Sequence, residues 1–162
     1  NYSIVPGDTV EIDVAAKGGG SEAKSKFAML NPSDSVVDWV LEQVPKMGAG
    51  WCPPGMLGIG IGGTAEKAML IAKESLMDPI DIHELQARGA QTRSEELRLE
   101  LFEKVNALGI GAQGLGGLTT VLDVKVAEAD LPAGSLVTLH LHNHGANTWT
   151  VSAVTSGPRG LE

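Results

Sequence analysis

The chain has 162 residues with 12 Lys and Arg against 20 Asp and Glu, a formal charge of −8 at pH 7. That length suits one domain with a sizeable core, and the acidic balance argues against nucleic acid or an anionic membrane surface as partner. Apolar residues at 43% argue against disorder. The apolar runs are broken well short of the ~18 residues a membrane span needs.

No basic, apolar leader precedes Asn1, so no secretory signal is expected. A single cysteine, Cys52, leaves no internal disulfide and suits a reducing, cytoplasmic setting. The 21 glycines are the compositional oddity, and most of them are clustered.

In chain order, Pro6-Gly7-Asp8 is a turn signal, and Val10-Glu11-Ile12-Asp13-Val14 alternates as a half-buried strand does. Lys17-Gly18-Gly19-Gly20-Ser21 follows, a run of glycine too costly in backbone entropy for an element interior. Ser33 is the expected N-cap of a helix carrying Val36, Val37, Val40, Leu41 and Val44, with Pro45 disrupting its last turn and Gly48 ending it. Pro53 is expected to hold Cys52 in an extended conformation.

Met56 to Ile61 alternates apolar residues with glycine as a strand, and Thr64 caps a helix that Asp78-Pro79 closes. Ile80 to Gln91 reads as a loop or short helix. Ser94 is the expected cap of a third helix, with Leu97, Leu101, Val105 and Leu108 on one stripe and Gly109 as its stop. Glycines 109, 111, 114, 116 and 117 form a second cluster, followed by strands at Thr119–Val126, Leu136–Leu141 and Thr148–Val154. This order predicts an α/β fold: a mixed sheet with covering helices in a single domain.

Three features carry candidate chemistry. The Gly58-Ile-Gly-Ile-Gly-Gly-Thr64 turn opens a helix, where unpaired N–H groups can hold an anion, although neither Rossmann nor P-loop spacing is met. The alternative is a tight turn needing positive φ. Cys52 reads as a small buried hydrophobe, or as a metal or cluster ligand; no nearby histidine supports a nucleophile. His140, His142 and His144 share one face of a strand and are candidate zinc ligands. They span ~13 Å, so at most two reach one ion.

Four motifs stand in order: Lys17-Gly-Gly-Gly-Ser-Glu-Ala-Lys, Trp51-Cys-Pro-Pro-Gly, Gly58-Ile-Gly-Ile-Gly-Gly-Thr-Ala-Glu-Lys and Asn106-Ala-Leu-Gly-Ile-Gly-Ala-Gln-Gly-Leu-Gly-Gly. Together they resemble the α-type catalytic domain of the iron–sulfur hydro-lyases, the class I fumarate hydratases and L(+)-tartrate dehydratases, over about residues 2–126. Residues 127–162 read as a divergent β-rich tail of the same domain.

The resemblance implies a [4Fe–4S] enzyme that adds water to, or removes it from, a small dicarboxylic acid such as fumarate, malate or tartrate. It implies Cys52 as one of three cluster ligands and Gly20 as a backbone lying against substrate. It also implies that the Gly62-Gly63-Thr64 turn and the Gln113 loop shape the pocket wall. The chain departs from the family in holding one cysteine instead of three, with Ser156 standing twelve residues after His144, where the third ligand would fall. The acid–base groups of the family's β-type domain are missing.

The expectation is therefore a fragment or divergent relative of such a hydro-lyase that does not hold a complete cluster by itself and forms homo-oligomers. Two further readings are a hydrolase using the His140, His142 and His144 strand, with or without zinc, and a non-catalytic self-associating module.

Overall fold

A computed structural model describes residues 2–130, 135–143 and 148–154, with side chains described as far as residue 130. Its strands are β1 (Thr9–Ala15), β2 (Lys26–Leu30), β3 (Gly55–Ile61), β4 (Val121–Glu128), β5 (Ser135–Asn143) and β6 (Thr148–Val154). Its helices are α1 (Gly19–Ala23), α2 (Val36–Lys46), α3 (Ala65–Glu74), α4 (Ile82–Arg88) and α5 (Arg93–Ala107). The main sheet has the order β2-β5-β3-β4, in which β3 runs parallel to β4 and antiparallel to β5. A separate ribbon pairs β1 antiparallel with β6. The α/β class with a mixed sheet is as the sequence predicts.

Every residue of β3 is buried, because helices cover both faces of the sheet there. On one face Leu57, Ile59 and Ile61 join Val121 and Val124 under Val37, Val40 and Val44 of α2 and Leu101 and Val105 of α5. On the other, α3 lies directly on the strand. A Cβ at Gly58 would stand 2.2 Å from the Ala72 carbonyl oxygen, and one at Gly60 2.1 Å from that of Ala68. The glycine alternation of β3 is thus a helix seat.

Several local expectations are corrected. The α2 cap is Ser35, whose Oγ accepts from the Asp38 N–H at 3.2 Å, and Pro45 sits inside the last turn without breaking it. Proline there loses only one bond, at an end where the following residues no longer depend on it. The α5 cap is Thr92, two residues before Ser94, with Oγ1 accepting from the Glu95 N–H at 3.2 Å. Leu108 lies outside the buried stripe of α5, 38% exposed, while Arg98 is buried inside it. Thr64 caps α3 as expected, and Ile80–Gln91 contains α4. The sequence reading missed α1, which begins within the triglycine, and β2.

Arg98 enters the core because its charge is met. Its Nε donates to the Val124 carbonyl at 2.7 Å, and its Nη2 bonds to Asp81 and, at 3.2 Å, to Asp123. Lys125 Nζ contacts Asp81 Oδ1 at 2.5 Å, Asp123 Oδ2 at 3.1 Å and the Pro79 carbonyl at 2.6 Å. Asp123 also accepts the Asp81 N–H at 3.0 Å. Two cations and two carboxylates neutralise one another in a closed network that ties α4 and α5 to β4.

Candidate functional site

The chain enters β3 through Trp51-Cys52-Pro53-Pro54. Trp51 is fully buried and ends a 3₁₀ turn, Gly48–Trp51, which anchors the segment in the core. Cys52 follows it half-buried at φ 57°, ψ 60°, with its N–H donating to the Ala49 carbonyl at 2.9 Å. This corrects the expected extended conformation. Pro53 disfavours the right-handed helical region for the preceding residue, and closure of the 3₁₀ turn selects the left-handed region in its place. The Pro53–Pro54 bond is cis.

Two other loops close on this turn. In the loop after α5, Gln113 also has positive φ, 55°, and its N–H donates to the Pro53 carbonyl at 2.7 Å. Gly114 packs on Ala49, with only 3.0 Å from its would-be Cβ to that side chain. Asn106 closes the base of the loop, as its Oδ1 accepts from the N–H groups of Thr120 at 2.7 Å and Val121 at 2.9 Å. From the other side comes the triglycine: a Cβ on Gly20 would stand 2.1 Å from the Gly50 carbonyl oxygen. Gly20 is otherwise exposed, so the backbone meets Gly50 on one side and is open on the other. Three glycine-bearing motifs, far apart in sequence, thus meet at Cys52.

Charged groups at this end include Lys17, Glu22, Lys24 and Lys73. Glu22 takes Lys17 Nζ at 2.8 Å on one oxygen and Lys73 Nζ at 2.6 Å on the other. Hydrogen bonds from Lys17 and then Lys73 hold its carboxyl down at about 2. Burial pushes the Lys17 ammonium below its ordinary value, with Glu22 opposing that shift. Lys24 lies over Gly50, its Cε 2.9 Å from where a Cβ would sit. None of these four was singled out from the sequence as a site residue. The signal was present, in the lysine that opens the triglycine motif and the glutamate five residues on.

The Gly62-Gly63-Thr64 turn is not brought to Cys52. The seven residues of β3 stand between them, ~20 Å of strand, so this turn forms no wall of a pocket at Cys52. Polar groups of Gly63 and Thr64 bond within the chain. The Gly63 N–H bonds the Asp130 carbonyl at 3.1 Å, and Thr64 Oγ1 takes the Lys67 N–H at 3.4 Å. Glu66's own N–H and the Thr64 hydroxyl keep the Glu66 carboxyl below its ordinary value. Gly62 and Gly63 have φ of 86° and 73°, the tight-turn alternative.

A cavity of about 380 Å³ opens at this far end, lined by Asp34, Glu96, Glu100 and Glu128 against one guanidinium, Arg93. Four carboxylates repel a dicarboxylate. His140 and His142 lie on β5 at register positions opposite Gly58 and Met56, and His144 falls outside the described residues. Among residues 2–130, whose side chains are described, no cluster of three His, Cys, Asp or Glu is placed to hold a metal ion, and no helix among the described residues is long and apolar enough to cross a membrane.

A mixed α/β sheet whose glycine loops converge on a cysteine at the start of a central strand defines the class of site. Its family is shown by comparison: the family model "Fumarate hydratase (Fumerase)" matches residues 1–142, and the chain belongs to that family. It is 44% identical over 133 residues to the "Putative L(+)-tartrate dehydratase subunit alpha" of Methanocaldococcus jannaschii, covering 78% of this chain and 44% of that protein. It is 35% identical over 132 residues to the L(+)-tartrate dehydratase subunit alpha of Escherichia coli strain UTI89, covering 79% and 42%. The counterpart from strain K12 is 33% identical over the same length. The chain spans less than half the length of these curated relatives.

Proposed function

We propose that this chain is the Cys52-bearing part of an iron–sulfur hydro-lyase that reversibly removes water from a small hydroxy-dicarboxylic acid, of the malate or tartrate kind. One observation carries the reading. Lys17–Gly20, Trp51–Pro54 and Gly109–Gly117, the motifs shared with the family, meet on the turn that carries Cys52, where Lys24 lies over Gly50 and Lys17 and Lys73 pair with Glu22 of the triglycine turn. A cation-rich end suits a doubly anionic substrate, and the open side of Gly20 offers a backbone that substrate can approach without meeting a Cβ.

A cubane of this kind takes thiolates from about three or four cysteines, and these 162 residues contain one. The donor set does not fit a complete cluster, so Cys52 is read as one ligand of a centre whose other thiolates come from outside this segment. The chain's own residues supply a fixed thiol, a glycine backbone and positive potential. Exposed Phe27 and Met29 on the edge strand β2 support self-association in solution, and a cytoplasmic setting goes with the lone thiol.

Amide resonances followed while fumarate or L-tartrate is titrated in test the site assignment. The expected shifts centre on Gly20, Cys52 and Gln113. Shifts centred on Asn31, Arg93 and Glu128, or none at all, contradict it.

A further inference from the structure

We propose that Glu22 is the positioning residue of the Cys52 loop: its carboxylate, held between Lys17 and Lys73, clamps the triglycine turn onto Gly50 and so sets access to the thiol. Apart from the buried Ser21 and the contact of Gly20 with Gly50, the turn has little apolar packing to hold it. α1 is five residues long, too short to be stable by its own hydrogen bonds, and Gly18 to Gly20 bring no side chains to pack. Ser21 Oγ donates to the Gly18 carbonyl at 2.8 Å, which shapes the turn without fixing it to anything beyond itself.

The fixing runs through charge. Lys73 belongs to α3, which Gly58 and Gly60 seat on the sheet, and its Nζ reaches Glu22 across 51 positions of sequence at 2.6 Å. Glu22 reaches back to Lys17 at 2.8 Å. A line of contacts therefore runs from β3 through α3, Lys73 and Glu22 to Gly20, Gly50 and Cys52.

An exposed ion pair alone contributes little, but Lys17 is not exposed. Its side chain retains 10% of its accessible surface, and among the described residues its ammonium makes no hydrogen bond beyond the ionic contact with Glu22. Neutralising Glu22 leaves a buried cation without a counter-charge, which favours lifting the turn into water. Lifting it uncovers Gly50 and the 3₁₀ turn that carries Cys52.

The importance of this clamp rests on the reading of Cys52 as the chemical centre, but its test does not, because thiol alkylation is read without iron or substrate. The rate of Cys52 modification by iodoacetamide is measured on the full chain well below its melting temperature. Glu22→Gln is expected to raise the rate roughly tenfold, the effect of about 1.4 kcal/mol. Lys73→Met raises it less, and Glu22→Asp returns it toward wild type. Gly20→Ala, which displaces the turn without a charge change, raises it as well.

Val40→Ala, a core variant that lowers stability without touching the turn, leaves the rate unchanged. A wild-type rate in Glu22→Gln overturns the proposal, as does an equal rise in Val40→Ala. If Glu22→Gln does not fold, Lys73→Met decides alone, since it leaves the Lys17 contact intact.

Discussion

Gly20 and Gly50 touch backbone to backbone: a Cβ on Gly20 would stand 2.1 Å from the Gly50 carbonyl oxygen. Because the obstacle is main chain, it cannot swing aside. Gly20→Ala is expected to cost ~1–3 kcal/mol. Gly19→Ala, one position earlier with nothing within 4 Å of its Cβ, is expected to be neutral or stabilising by up to ~1 kcal/mol. Urea denaturation of the two variants checks the contrast, and equal losses contradict it.

Asp123 is fully buried and faces both Arg98 and Lys125. Asp123→Asn keeps the shape and removes the charge, leaving two cations to share the one remaining carboxylate, Asp81. The expected loss is ~3–5 kcal/mol, the usual result of breaking a buried pair by deleting one partner. A melting temperature near wild type contradicts the closed network.

Acid should destabilise the fold over a defined window. The Glu22 carboxyl is held at about 2 by Lys17 and Lys73, and that of Glu95 at about 2 by Arg88, against an ordinary value of 4.5. Burial alone would raise the Asp81 carboxyl, but Arg98 and Lys125 outweigh it and bring it well below the ordinary range. A depressed folded-state value means that the unfolded chain takes up protons first. Stability from these groups is therefore complete above about pH 4.5 and is lost as pH falls toward about 2. Melting temperatures across that range check the sign, and a profile flat down to pH 2 contradicts it.

Asn106 closes the glycine loop by accepting two main-chain N–H groups, those of Thr120 and Val121. Asn106→Ala leaves both without that acceptor and is expected to cost ~1–3 kcal/mol. Hydrogen exchange at Thr120, Val121 and Gln113 should quicken together. Faster exchange at Thr120 and Val121 alone contradicts the view that Asn106 holds the whole loop in place beside Pro53.

The helices were legible in the sequence because α2, α3 and α5 place apolar residues at helical spacing, although two caps were misplaced by two residues. Ser33 and Ser94 are good caps by type, but the competing Ser35 and Thr92 hold the geometry. β2 was missed because Lys26 to Leu30 is short and follows the glycine turn directly. Its burial on one side and exposed Phe27 and Met29 on the other come from its edge position, a tertiary fact.

The four motifs were legible as family signatures, whereas their arrangement was not. Nothing in the spacing showed that three of them meet at Cys52 while the Gly62-Gly63-Thr64 turn lies at the other end of β3. Nor did it show that Gly58 and Gly60 serve α3. The Lys17–Glu22–Lys73 bridge spans 51 positions on one side, a separation that no local pattern encodes.

Under the proposed function, this segment carries one ligand of a hydro-lyase centre and does not hold the whole of it. Metal content after anaerobic reconstitution with iron and sulfide, read beside the visible spectrum for wild type and Cys52→Ser, tests that most directly. The expected result is iron far below four per chain, no stable band toward the blue end of the visible, and less bound iron still in Cys52→Ser. About four irons per chain with such a band, the signature of a complete cubane, would contradict it. Zinc near one per chain, kept in Cys52→Ser and lost on replacing His140 and His142, would shift the chemistry to the histidine strand.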